Sequence, residues 1–224
     1  MSQVSQPSGI LGKFLAWGMS RGTRSFYKNT ARIARLKNDD QFLEIGSGSG
    51  LFIRKYASHV AQISAIDFSK DMVRLANNNN KKLVESGKVQ IVQGVASALP
   101  WKENEFSVAV GIETFFFWSE PKASLEEIHR VLAPGGRLIL EMAYNKDDGK
   151  DHSKLVEKYS LKLYSGDEMV RLLEESGFCA VCISYYKSLW VPFKGYIVPK
   201  GMIVKATKSN HEHPKNQARA MPNC

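Results

Sequence analysis

Five short apolar runs alternate with longer amphipathic stretches through the middle of this chain, and this alternation restricts the fold more than any other feature. The runs begin at Phe42, Ile63, Val89, Phe106 and Leu138. The stretches of helical length between them cover 50–58, 70–84 and 121–132. Strands that are joined by helices run parallel, because the chain crosses back over the sheet each time. The pattern therefore predicts a parallel sheet with helices on both faces.

Two further runs near the carboxyl end predict an antiparallel addition to this sheet. Apolar residues alternate with other residues over 181–185, and a second alternating run covers 202–206. Before them, Ser165 and Glu168 have the spacing of a capping box, which predicts the start of a helix. Together, the seven runs predict a doubly wound α/β fold. Its sheet is seven-stranded and mostly parallel, with an antiparallel edge strand.

The two ends of the chain differ from its middle in charge. The formal net charge is +9 at pH 7, and residues 1–40 contribute +5 through seven Lys or Arg against two Asp. Residues 187–224 contribute +6, whereas the middle is close to neutral. We expect an N-terminal helical cap over 1–40, a central domain over 41–207 and a disordered basic tail over 208–224. The basic ends are either solvated or contact an anionic substrate, a membrane surface or RNA.

Cysteine content and hydropathy bear on where the protein works. Three cysteines are few and odd in number, which is typical of a reducing compartment. No apolar run reaches the ~18 residues that span a bilayer. We therefore expect a cytoplasmic monomer or homodimer without integral membrane association. Cys179 and Cys182 lie three apart on an expected strand, so their side chains point to opposite faces and no metal site is predicted.

Residues that follow the strands are the best candidates for a ligand site, because ligands bind at the carboxyl ends of strands in an open parallel sheet. The first strand runs into a segment with glycine at positions 46, 48 and 50. The second strand ends at Asp67, where a carboxylate is well placed to accept hydrogen bonds from the ribose of a nucleoside. The fourth strand runs into Glu113 and four aromatic residues at 115–118.

The glycine spacing separates two nucleoside cofactors. Dinucleotide-binding loops prefer G-x-G-x-x-G, whereas this segment reads G-x-G-x-G and has Leu51 at the third position. Glu44 lies two residues before the first glycine, where a carboxylate would repel a diphosphate and attract an amino group. A nucleoside that carries an amino-acid tail therefore fits this sequence better than a dinucleotide.

Four blocks of the sequence resemble class I S-adenosylmethionine-dependent methyltransferases, in the type 11 group that includes ubiquinone and menaquinone biosynthesis enzymes. The blocks are 42–50 (FLEIGSGSG), 65–72 (AIDFSKDM), 99–110 (LPWKENEFSVAV) and 127–138 (EIHRVLAPGGRL). The resemblance covers roughly residues 25–205 and implies a Rossmann-like fold with S-adenosylmethionine as cofactor. It also implies that the glycines at 135 and 136 form a structural turn at the opposite end of the sheet.

The resemblance implies a set of cofactor contacts at the rim of the sheet. They are Glu44, Gly46, Ser47, Gly48, Gly50, Asp67, Phe68, Met72, Val95, Ala96 and Ile112. Asp67 would hold the ribose hydroxyls, and Glu44 would lie near the amino group. Many relatives have an acidic residue after the third strand that contacts adenine, and this chain has Val95 and Ala96 there. Apolar and backbone contacts are expected at that point instead.

Methyl transfer from a sulfonium is an in-line displacement, and holding the two reactants in line can contribute ~7–11 kcal/mol. A positioned general base adds about 10²–10⁴-fold where the acceptor carries a proton. Glu113 is the candidate catalytic base or orienting group. The candidate substrate contacts are Tyr27, Phe117, Trp118, Tyr144 and His152.

Three functions remain open from the sequence, and a small-molecule methyltransferase is the leading one. The first alternative is an enzyme that methylates RNA or protein through the basic ends, and the second is a non-catalytic regulatory protein that binds S-adenosylmethionine. The rim lacks a cysteine and an Asn/Asp-Pro-Pro-Tyr block, which argues against nucleic-acid base methylation. The segment after the fourth strand has a single glutamate, which argues against protein-arginine methylation.

Overall fold

The computed structural model describes residues 24–186 and 200–210, and these form a single sheet with helices on both faces. The helices are α1 (Arg24–Ala34), α2 (Leu51–Tyr56), α3 (Lys70–Asn79), α4 (Lys81–Glu85), α5 (Pro121–Val131), α6 (Ser153–Tyr159) and α7 (Gly166–Glu175). The strands are β1 (Gln41–Ile45), β2 (Gln62–Asp67), β3 (Val89–Gln93), β4 (Phe106–Ile112), β5 (Leu132–Met142), β6 (Phe178–Tyr186) and β7 (Gly201–Lys208). Two short 3-10 helices, Ala57–His59 and Phe115–Phe117, complete these elements.

The seven strands are ordered β3-β2-β1-β4-β5-β7-β6. The pairs from β3 through β5 are all parallel, and β7 runs antiparallel to both β5 and β6. The expected mostly parallel, seven-stranded, Rossmann-like sheet with antiparallel pairing at one edge is therefore confirmed. The reversed strand β7 is inserted between β5 and the outermost strand β6.

Two apolar cores lie on opposite faces of the sheet. One contains Phe115, Leu125 and Leu173 and packs beneath α5, α6 and α7. The other contains Phe26 and Phe52 and packs beneath α1, α2 and α3. Each strand contributes alternate side chains to the two cores, since successive side chains point to opposite faces. None of the helices in the described part of the chain is long and apolar enough to cross a membrane.

Local signals place most helix ends where the sequence predicts them, with one correction. The capping box at the start of α7 is present, since the Ser165 hydroxyl accepts from the Glu168 N–H at 3.2 Å and the Glu168 carboxylate accepts from the Ser165 N–H at 2.8 Å. The single helix expected over 70–84 is instead broken between α3 and α4. The cause is Asn80, a buried side chain that donates to the carbonyls of Gly50 and Ala76 at 3.0 and 2.8 Å.

The amino-terminal end of the sheet is closed by structural contacts. Arg137 donates to the carbonyl of Ala34 at 3.0 Å and pairs with the buried carboxylate of Asp40 at 2.8 Å, which ties α1 to the start of β5. Residues 134–136, which were expected to form a turn, instead lie within β5 at this end, where the pairing with β4 is irregular between Leu132–Phe106 and Arg137–Val108. These contacts leave the opposite end of the sheet, where the parallel strands end, for a ligand. Most of the predicted cap (1–23) and tail (211–224) lie outside the described residues, so the domain boundaries stay predictions.

Candidate active site

A cleft opens at the carboxyl ends of β1 and β4, the point where the chain order of the sheet reverses. Its empty volume, which includes space open to solvent, is about 650 Å³. Of the predicted site residues, the cleft is lined by Gly46, Asp67, Phe68, Val95, Ala96, Phe117 and Trp118. Strand order explains this convergence, because β2 and β3 lie on one side of β1 and β4 lies on the other.

Asp67 joins the second strand to the glycine loop. One oxygen of its carboxylate accepts from the Gly48 N–H at 2.8 Å, and the other accepts from the Ser69 N–H at 2.9 Å. Burial raises the pKa of Asp67, and these two backbone N–H groups partly oppose that rise. Each carboxylate oxygen can accept a further hydrogen bond, so the group can still bind the hydroxyls of a ligand.

The glycine loop has one closely packed position and one open position. Gly46 has φ +81°, and a Cβ there would lie 2.7 Å from the Thr114 hydroxyl oxygen. Gly48 has φ +50°, and a Cβ there would meet nothing within 4 Å. The N–H groups of Gly46 and Ser47 both donate to the carbonyl of Ile66, which fixes the loop against β2. The open space at Gly48 is available to a ligand.

Gly50 and Met72 have structural surroundings in this fold. A Cβ at Gly50 would lie 2.3 Å from the Asn80 amide nitrogen, so the glycine is required by packing. Met72 is buried in α3, and its N–H donates to the Ser69 hydroxyl at 3.4 Å. Neither residue lines the cleft, and neither does the buried Ile112. Their predicted cofactor contacts stay predictions.

Two exposed apolar side chains form the outer wall of the cleft. Phe68 is 41% exposed and Val95 is 51% exposed, and both line the cleft beside Asp67. Large apolar side chains are rarely left exposed together at a concave site unless a ligand covers them. A flat apolar group such as a nucleobase has the shape to occupy this space.

Glu44 is a buried carboxylate near the glycine loop. It lies on β1 opposite Val110 and Ala65, and one of its oxygens has no hydrogen-bond partner among the described residues. Burial raises its pKa well above the usual value, and the nearby charge of Asp67 raises it further. The hydroxyl of Ser47 is also buried without a partner among the described residues. A bound ligand could supply the hydrogen-bond partners that both polar groups lack.

Glu113 follows β4 and contacts β5. Its N–H donates to the carbonyl of Glu141 at 2.9 Å, and its carboxylate accepts from the N–H of Ala143. Burial raises the pKa of Glu113 to about 8, although the Ala143 N–H opposes that shift. Glu141 is fully buried, and it is a residue that the sequence analysis did not single out.

The four consecutive aromatic residues divide between core and cleft. Phe115 and Phe116 are buried in the core, whereas Phe117 and Trp118 are half-buried and line the cleft. The indole N–H of Trp118 donates to the Thr114 hydroxyl at 3.1 Å, and its ring packs edge-on against Phe115 at 4.8 Å. Thr114, which the sequence analysis passed over, thus connects Trp118 to the glycine loop. Its only sequence signal was its position after β4.

The other predicted substrate contacts lie on the two sides of the rim. Tyr27 packs edge-on against Phe52, with ring centroids 5.4 Å apart. Tyr144 packs edge-on against the His152 ring at 5.5 Å, and His152 lies 2.8 Å from the Asp148 carboxylate. These three side chains do not line the cleft. Their roles as substrate contacts stay predictions.

Comparison with known proteins agrees with this geometry. The family model described as "Methyltransferase domain" matches residues 43–140, from β1 through most of β5. Over this segment, which is less than half of the chain, the protein is similar to methyltransferases. The matched segment includes the glycine loop, Asp67 and the rim after β4.

Individual relatives show how far the similarity extends. The chain is 29% identical over 168 residues to an O-methyltransferase from Pyrenophora dematioidea, across 72% of this chain and 62% of that protein. It is 28% identical over 187 residues to a ubiquinone/menaquinone biosynthesis C-methyltransferase from Pseudomonas savastanoi, across 77% and 70%. The chain thus spans less than two thirds of the first relative.

A solved structure shares the fold of this chain. The Haemonchus contortus phosphoethanolamine N-methyltransferase 2, in complex with S-adenosylhomocysteine, superposes with a TM-score of 0.72 at 16% identity. The match covers 84% of this chain and 54% of that one.

The residues in and beside the cleft fit S-adenosylmethionine, although Gly48 and Glu44 do not line the cleft itself. The open space at Gly48, the unpartnered buried oxygen of Glu44 and the exposed apolar pair Phe68 and Val95 suit, in turn, close backbone approach, an amino group and a flat base. Among the described residues, no group of three or more His, Cys, Asp or Glu is arranged to hold a metal ion.

Proposed function

We propose that this protein transfers a methyl group from S-adenosylmethionine to a small-molecule acceptor. The observation that carries the proposal is the cleft itself, where Asp67 is bonded to the Gly48 N–H between two exposed apolar side chains. A ribose with an attached base and an amino-acid tail has the groups that these residues can bind.

Each part of the cleft has a separate task in this proposal. Asp67 accepts hydrogen bonds from the ribose hydroxyls. Phe68 and Val95 pack against the base. The Glu44 carboxylate binds the amino group, which would give its unpartnered oxygen a cationic partner. Gly48 admits the ligand because it has no Cβ. Charge-assisted hydrogen bonds of this kind are the stronger ones in proteins.

The chemistry requires little of the protein beyond positioning. The cofactor supplies a methyl group on a positively charged sulfur, which is activated for transfer. The rim holds the acceptor in line with it, and such positioning can contribute ~7–11 kcal/mol. Glu113 takes a proton from acceptors that carry one, and its raised pKa suits a base that works near neutral pH.

A small acceptor is favoured over a macromolecule by the enclosure of the site. Trp118 and Phe117 narrow the cleft, and the described rim residues around it are mostly apolar or acidic rather than basic. A nucleic-acid site would instead present a basic face to the phosphate backbone. The cytoplasmic location and the monomeric or homodimeric state that the sequence predicts belong to the same proposal.

Calorimetric titration followed by a substrate screen tests the proposal. The full chain should bind S-adenosylmethionine and S-adenosylhomocysteine and should bind NAD much more weakly. A labelled methyl donor should then pass its label to a member of a panel of phenols, quinones, amines and thiols. Tight NAD binding without a response to S-adenosylhomocysteine would contradict the cofactor assignment. Labelling of RNA or protein alone would contradict the small-molecule assignment.

A further inference from the structure

Glu113 and Glu141 are brought together where β4 and β5 end, since the Glu113 N–H donates to the Glu141 carbonyl at 2.9 Å. In a parallel pair, the N–H of Ala143 would next bond to a main-chain carbonyl on β4. The backbone of Glu113 turns away at φ +57°, and its side-chain carboxylate accepts that N–H instead. The Glu113 side chain is therefore held between the two strands, immediately before Thr114 in the wall of the cleft.

Glu141 lies beside it in a fully enclosed position. It is 0% exposed, and on β5 it stands between Ile112 of β4 and Ile203 of β7. One of its oxygens accepts from the hydroxyl of Tyr186, and the other is buried without a hydrogen-bond partner among the described residues. The unpartnered oxygen is therefore shielded from water and next to Glu113, whose charge acts on it.

The groups around the pair supply no counter-ion. The buried residues of α1 on this face are Phe26, Thr30 and Ala34. On β7, Lys205 stands opposite Ile139, two residue pairs farther from the rim than Glu141. On β1, the other titratable group of this face is the carboxyl of Glu44. Among the described residues, neither Glu113 nor Glu141 forms an ion pair with Lys, Arg or His.

Such a pair does not help the protein to fold. Burial of an ionised carboxyl without a cationic partner is costly, so two adjacent carboxyls titrate together and retain a proton at a pH where isolated ones have lost it. An apolar residue at position 141 would remove this cost. Adjacent buried carboxyls with perturbed pKa values are more typical of acid–base sites.

We propose that Glu113 and Glu141 form one proton-sharing unit that accepts the proton of the methyl acceptor, with Glu113 as the member that contacts the acceptor and Glu141 as a positioning residue. This inference rests on the proposed function and defines the acceptor class. The acceptor carries a proton on the oxygen, nitrogen or sulfur atom that is methylated.

The lone pair of the acceptor atom forms the new bond to the methyl carbon, and the carbon–sulfur bond breaks with its electron pair kept by sulfur. The proton of the acceptor passes to the Glu113 carboxylate and later to water. Glu141 raises the proton affinity of the Glu113 carboxylate, since a second negative charge in the same enclosed space is unfavourable. Tyr186 holds Glu141 in place through its hydroxyl.

Carbon-13 NMR of the carboxyl groups in the full chain tests the unit without any acceptor. In the unaltered protein, the Glu113 carbon should follow two titration steps. In Glu141→Gln, it should follow a single step at a pH lower by about one unit or more, since the two sites no longer interact. Glu175→Gln removes an exposed carboxylate at the end of α7 and serves as the matched control, which should leave the Glu113 titration unchanged.

Activity adds a second readout once the labelling screen has supplied an acceptor. In Glu141→Gln, the acid limb of the pH–kcat profile should move to lower pH by the same interval as the Glu113 titration. KM should be nearly unchanged. If Glu141→Gln does not fold, Tyr186→Phe replaces it and should raise the upper titration step. Identical titration of Glu113 in all variants would overturn the shared proton, even where S-adenosylhomocysteine still binds. Loss of that binding in the unaltered chain would overturn the proposed function and, with it, the catalytic role of the pair.

Discussion

The Asp67 carboxylate accepts the backbone N–H of Gly48 at 2.8 Å, so the acidic end of β2 and the glycine loop after β1 form one connected unit. The same carboxylate accepts the Ser69 N–H at 2.9 Å and thereby also fixes the approach to α3. Asp67 is therefore both a candidate ligand contact and a structural group. Its removal should affect the fold as well as binding.

Asp67→Ala should lower the stability of the protein and its affinity for the cofactor together. Two backbone N–H groups lose their acceptor, and the buried one, that of Ser69, accounts for a cost of about 1–3 kcal/mol. Loss of charged hydrogen bonds to the ribose should weaken S-adenosylhomocysteine binding by about 1.5–3 kcal/mol. Urea unfolding and calorimetry on the same variant measure the two effects. Asp71→Ala, which removes a carboxylate paired with Arg74, is the control and should leave affinity unchanged.

The free energy of unfolding should fall as the pH rises from 7 to 8.5. Burial raises the pKa of Glu113 to about 8, so its stabilising contribution is complete below its unfolded value and is lost as the pH rises through 8. His129 has a lowered pKa, and its contribution is lost only below about pH 6.5, outside this interval. Glu113→Gln should reduce the slope, and the buried carboxyls of Glu44 and Glu141, whose pKa values are also raised, should account for the remainder. A slope that is flat in the unaltered protein, or equal in the variant, would contradict this assignment.

Glu44→Gln should separate stability from cofactor affinity. The substitution removes a buried carboxyl whose pKa is raised by burial, so the variant should be more stable than the unaltered protein at pH 8. It should bind S-adenosylhomocysteine more weakly, because the amino group loses a charged partner. Both quantities can be measured by thermal unfolding with and without the ligand. Equal affinity in the two proteins would place the amino group elsewhere.

Trp118→Ala should lose part of its stability and part of its cofactor affinity. The side chain is half-buried, so the cost should be about 2–3 kcal/mol, below the ~3–5 kcal/mol of a fully buried aromatic residue. The cleft also loses an aromatic wall, and affinity should fall about tenfold. Trp118→Phe is the control and should retain most of both. Unchanged affinity in Trp118→Ala would show that the ligand does not reach this wall.

Much of the fold follows from local signals in the sequence. The period of the apolar runs predicts the strands, and Ser165 with Glu168 predicts the start of α7. The break between α3 and α4 was not predictable in this way. It depends on the Asn80 side chain reaching the carbonyl of Gly50, thirty residues away in the chain, and no local pattern encodes that contact.

The candidate site was predictable where its residues directly follow strands. Asp67, Gly46 and Val95 lie in the cleft as expected, because strand ends in a parallel sheet converge at one edge. The sequence does not indicate Glu141, because a single glutamate inside an apolar strand resembles an isolated polar residue in the core. Its proximity to Glu113 follows from the register of β4 and β5, which only the folded chain shows.

Binding of S-adenosylmethionine by the glycine loop is tested most directly by comparing Gly48→Ala with Gly87→Ala. Both glycines have positive φ, +50° and +73°, and a Cβ at either meets nothing within 4 Å, so both variants should lose about 1 kcal/mol of stability. Calorimetric titration with S-adenosylhomocysteine should show affinity equal to that of the unaltered protein in Gly87→Ala and at least about tenfold weaker binding in Gly48→Ala. Equal binding by the two variants, or no binding by the unaltered protein, would contradict the assignment of the glycine loop as the binding site.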